Sequence, residues 1–138
     1  HARGIVLGGL RPELVYIDGE RVTGIAPRCD VFHATMSKPD YGVPLCFPHV
    51  YFAPEVLARP EEPPTAAADV FALAAMIAYW HTGKHPFEGE YTANVVAIVS
   101  GQRTVWRGDA ALGAIVGAGV APVAQRSTLE RLLKQLRG

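Results

Sequence analysis

The stretch 65–83 constrains this chain more than any other. Between Ala66 and Thr82 the only charged residue is Asp69, and the rest runs Val70, Phe71, Ala72, Leu73, Ala74, Ala75, Met76, Ile77, Ala78, Tyr79, Trp80, His81. Alanine, leucine and methionine are strong helix formers. Apolar residues fall on every side of the cylinder, which predicts a helix buried all round. Pro63 and Pro64 precede it, Gly83 suits its C-terminal cap, and Pro86 forbids continuation. The uncharged run 70–80 is far short of the roughly 20 residues that a membrane span needs. The segment is therefore the expected central post of a helical domain. Asp69 gains from the helix dipole in the first turn. If it is buried its carboxylate must be hydrogen-bonded, so backbone N–H groups from another segment are its expected partners.

The chain has 138 residues, enough for one domain, and its 49% hydrophobic content suffices for a core. Thirteen basic residues balance thirteen acidic ones, so there is no electrostatic case for nucleic acid or for an anionic membrane surface. Two cysteines do not make a disulfide framework, which points to a reducing compartment. With no signal peptide or targeting segment, a cytoplasmic location is expected. The chain opens on His1 rather than Met and has the look of a piece of a longer polypeptide. Arginine far outnumbers lysine and alanine is abundant, a compositional hint of a GC-rich bacterial source.

In chain order, residues 5–14 read as a loop because of Gly8-Gly9 and Pro12. Val15-Tyr16-Ile17, Asp18-Gly19 and 22–25 predict a β-hairpin around a short turn containing Asp-Gly. The stretch 26–50 holds four prolines and no periodicity, and predicts one long irregular loop. After the central helix, 92–100 reads as a helix ended by Gly101, with Val95, Val96, Ile98 and Val99 as its apolar residues. Asp109 is the expected cap of a helix carrying Leu112, Ile115 and Val116, closed by Gly119. Ser127 and Glu130 have capping-box spacing ahead of Leu129, Leu132, Leu133 and Leu136 on one helical face.

Five short stretches become specific when their order is considered. They are Leu7-Gly8-Gly9-Leu10-Arg11-Pro12-Glu13-Leu14, Tyr51-Phe52-Ala53-Pro54-Glu55, Ala68-Asp69-Val70-Phe71-Ala72-Leu73, Thr82-Gly83-Lys84-His85-Pro86-Phe87, and 121–126 followed by Ser127. Their order and spacing resemble the C-terminal lobe of the eukaryotic-type protein kinase family. The first stands where the family has its catalytic loop, H-R-D-L-K-P-E-N. The second contains the A-P-E that ends the activation segment, and the third matches the S-D-V-W-S-L opening of the family's central helix. The fourth matches T-G-x-x-P-F, and the last resembles D-P-x-x-R-x-S. The resemblance implies a mainly α fold: a protein-kinase-like C-lobe with a small β-hairpin and a central buried helix, one domain over 1–138, with the N-lobe absent. It also implies that Asp69 holds the catalytic-loop backbone and that Glu55 pairs with Arg126.

The chemical positions of the pattern are replaced. Phosphoryl transfer needs a carboxylate to orient and deprotonate the attacking hydroxyl, and metal ligands to neutralise the phosphates. Gly9 holds the place of the catalytic aspartate and Leu14 that of the metal-binding asparagine. Ala26-Pro27-Arg28 aligns with D-F-G, so Ala26 replaces the second metal ligand. Arg11 keeps the charge of the catalytic-loop lysine. There is no G-x-G-x-x-G strand pair and no V-A-I-K lysine; Val96-Ala97-Ile98-Val99 mimics the latter by letter only, within a helix.

Other constellations are less specific. Cys29, His33, Cys46 and His49 share the long loop and supply four residues of zinc-ligand type. Their loose spacing better suits unrelated side chains or small buried hydrophobes. His81 and His85 have the i,i+4 spacing of a metal pair, yet a helix C-terminus favours histidines through its dipole. Thr35, Ser37 and Tyr41 are phosphorylatable loop residues or ordinary polar ones. Val105-Trp106 reads equally as a docking patch or as a core anchor.

The expected function is a catalytically inactive, pseudokinase-like module that binds protein or regulates, with no catalytic residue, cofactor or metal assigned. The alternative is a divergent serine/threonine protein kinase or ATP-binding transferase whose N-lobe lies upstream. A third reading is a zinc-stabilised scaffold that keeps only the fold. The expected partners are another protein, the upstream N-lobe or a second copy at the apolar face that meets that lobe in the family.

Overall fold

The structure, a computed structural model, describes residues 1, 3–25, 32–33, 51–59, 61–87, 91–101, 106 and 108–138. Five α-helices occur among them: α1 (Pro54–Ala58), α2 (Ala66–Thr82), α3 (Tyr91–Ser100), α4 (Ala110–Gly119) and α5 (Leu129–Leu136). Four short strands make two separate antiparallel pairs. β1 (Ile5–Val6) pairs with β4 (Phe32–His33), and β2 (Val15–Asp18) with β3 (Arg21–Ile25).

Helix α2 is the post around which the rest packs. Ala68–Ala72, Ala74, Ala75, Met76 and Ala78 are all buried. Two core clusters draw on different faces of it, which is why its apolar residues are not confined to one stripe. One gathers Phe71, Ala74, Phe87, Ile98, Val116 and Leu132 from α2 to α5 and the loop after α2. The other sets Ala72, Ala75 and Met76 against Leu10 and Tyr51. Phe71 stacks on Phe87 with centroids 5.7 Å apart. The last turn departs from the expected all-round burial, since Tyr79, Trp80 and His81 are exposed. Gly83 then takes φ 70° and its N–H donates to Tyr79 O, closing the helix as a left-handed cap does.

Several local expectations are corrected. Residues 5–14 are not all loop: Ile5–Val6 is a strand and Pro12–Leu14 a 3₁₀ helix. The stretch 26–50 is not wholly irregular, because Phe32–His33 pairs with that strand. Local composition was blind to this pairing, which joins residues far apart in sequence. The hairpin forms where expected, with Asp18 paired to Arg21 and Gly19 and Glu20 as the central turn residues. Gly19 has φ 57°, the left-handed value that a tight hairpin wants at its first central position. The cap of α5 is Thr128 rather than Ser127, its hydroxyl accepting from Arg131 N. Asp109 does cap α4, accepting from Leu112 N at 2.8 Å.

Gly119 lies inside α4 rather than closing it. A Cβ there would meet Ala74 Cβ at 2.4 Å, so its lack of a side chain is what lets α4 cross α2 closely.

Candidate functional site

The site is built where the segment 7–14 crosses the start of α2. Asp69 is buried in the first turn of that helix. Its Oδ2 accepts from Leu7 N at 2.7 Å and its Oδ1 from Gly8 N at 2.8 Å, donors 62 and 61 residues away in the chain. His1 Nε2 lies 2.9 Å from Oδ2 and supplies a third contact. Burial pushes the Asp69 carboxyl above its ordinary value, and the two backbone N–H bonds hold it back. The carboxylate thus fixes the backbone just ahead of Gly9. Sequence reasoning left His1 unassigned; the signal available was that a buried carboxylate has lone pairs beyond those two amides can fill.

Gly8 has φ 73°, a conformation that glycine adopts without strain. Gly9 follows with no side chain at all. Arg11 is buried, with Nε 3.8 Å from Oε2 of the exposed Glu13. Pro12 then starts the 3₁₀ helix, as a residue without an N–H can. Leu14 is half-buried and carries no oxygen to a metal. Gly9, Leu10, Arg11, Tyr51 and Phe52 line a small cavity of about 10 Å³, room for about one water. Among the described residues no three His, Cys, Asp or Glu side chains are grouped to hold a metal. Ala26, and with it the D-F-G position, lies outside the described residues. So do Cys29, Cys46, His49, Thr35, Ser37, Tyr41 and Val105; only the backbone of His33 is described.

A second constellation braces this site from below. Arg126 Nη2 donates to Glu55 Oε2 at 2.9 Å, and Nη1 donates to Glu55 Oε1 as well. Nη1 also donates to Ala67 O at 2.9 Å, and Nε to Ala121 O at 3.0 Å. The guanidinium sits 5.2 Å from the Phe71 ring centroid. One side chain therefore ties α1, the start of α2 and the segment after α4. Such a fork of donors is within reach of arginine and not of lysine.

The two histidines spaced i,i+4 do not meet a common ligand position. His81 stacks on Trp106 with centroids 5.7 Å apart, while His85 stacks on Tyr79 at 4.7 Å. Trp106 also donates its indole N–H to Asp109 O at 2.7 Å and packs against the main core. That is the anchor side of the two readings of Trp106.

No protein-family model and no curated protein sequence matches the chain. Among solved structures it is similar to one described as "Titin kinase and its flanking domains", with a TM-score of 0.77 and 20% identity. The match covers 98% of this chain and 26% of that one. The fold is therefore protein-kinase-like. No helix among the described residues is long and apolar enough to cross a membrane.

Proposed function

We propose that this chain is a catalytically inactive kinase-like domain that works as a protein-binding or regulatory module. The observation that carries the reading is the contrast at Gly8-Gly9. Asp69 still fixes the loop backbone, but the next residue offers no carboxylate. Phosphoryl transfer is mostly positioning and electrostatics, so a loop held in place without base or metal ligand has lost the groups that do the work. Leu14 in place of the metal-binding asparagine and Ala26 in place of the D-F-G aspartate support the same reading.

The binding role draws support from the β2–β3 hairpin. It pairs with no other strand among the described residues. Ile17 and Val22 face each other across it at 58% and 62% exposure, with Tyr16 and Ile25 exposed beside them. A lone hairpin with this much apolar surface is marginal in water and calls for a covering partner.

The test is thermal melting of the purified chain, and of any longer parent, with and without Mg-ATP. A nucleotide site at a hundredfold excess over its Kd adds about 2.7 kcal/mol. No shift in either form is expected. A metal-dependent shift accompanied by phosphoryl transfer to a protein substrate would overturn the proposal in favour of an active transferase.

A further inference from the structure

We draw no further inference here: the strongest candidate, the exposed apolar surface of the β2–β3 hairpin around Ile17 and Val22, belongs to the binding role already proposed, and nothing in the structure shows what covers it.

Discussion

The crossing of α4 over α2 gives a prediction whose size can be worked out from distances. An ideal Cβ on Gly119 falls 2.4 Å from Ala74 Cβ and 3.1 Å from Leu132 Cδ1. Carbon atoms in good contact stand about 3.5–4.0 Å apart, so Gly119→Ala forces a displacement of about 1 Å. Neither neighbour has free space to yield, since Ala74 and Leu132 are both fully buried. Overpacking of a tight core costs about 1–3 kcal/mol. Against this, exchanging a helical glycine for alanine returns up to about 1 kcal/mol of helix propensity. With a clash this short the overpacking cost lies near the top of its range, and the net loss is about 2 kcal/mol. Urea titration reads that loss as a lowered midpoint at constant slope. The sharper check is a double-mutant cycle with Ala74→Gly, which removes the methyl that Gly119→Ala collides with. By itself Ala74→Gly should cost about 1 kcal/mol. If the clash is the cause, the double variant recovers most of the Gly119→Ala loss, a coupling of about 2 kcal/mol. A Gly119→Ala protein as stable as the original, or strictly additive losses, would refute the close-crossing argument.

Other perturbations address the site and its supports. Arg126→Met should cost about 3–5 kcal/mol, because it strands the Glu55 carboxylate; adding Glu55→Met should recover part of that loss, and a double variant worse than the single would count against the paired reading. Asp69→Asn should cost about 1–3 kcal/mol, since an amide nitrogen would face one of the two N–H donors; Leu7 and Gly8 should lose exchange protection, and unchanged protection would sink the idea. Gly113→Ala should expel Trp106, whose Cδ1 lies 2.5 Å from the position of the new methyl, and red-shift the tryptophan emission. Ile17→Lys should leave stability within about 0.5 kcal/mol while abolishing retention of a partner that covers the hairpin, so retained binding would remove the hairpin from the interface.

The relation between sequence and structure differs from element to element. The central helix was legible because its signals are local and agree with one another: strong formers, apolar residues all round, proline before and glycine after. The same holds for the caps at Gly83, Gly101 and Asp109, where one residue's conformational freedom or side-chain oxygen is enough. Short strands were not legible. Two residues carry no periodicity, and Ile5–Val6 becomes a strand only because Phe32–His33 lies beside it. The site was legible in part. The burial argument asked for backbone donors to Asp69, which Leu7 and Gly8 supply, and Gly9, Leu14 and Ala26 can be read letter by letter at the positions where the resemblance expects polar groups. Missed were His1, which sits in a segment with no pattern of its own, and the cluster of Tyr51, Tyr79 and His85, which arises from residues 28 and 34 positions apart.

Sequence alone therefore determined what the central helix is made of, the stops at Gly83 and Gly101, and which side chains stand at positions 9, 11 and 14. These depend on interactions within a turn or two of chain, or on the mere identity of a side chain. Only the tertiary structure decided which glycine is a cap and which is a crossing, since Gly83 and Gly119 differ in φ and in the neighbour that meets them, not in composition. It also decided that Arg126 reaches Glu55 across 71 residues and that His85 lies between two tyrosines. Contacts of that kind are set by how the helices pack, and packing depends on the shapes of many side chains at once rather than on any local run of residues.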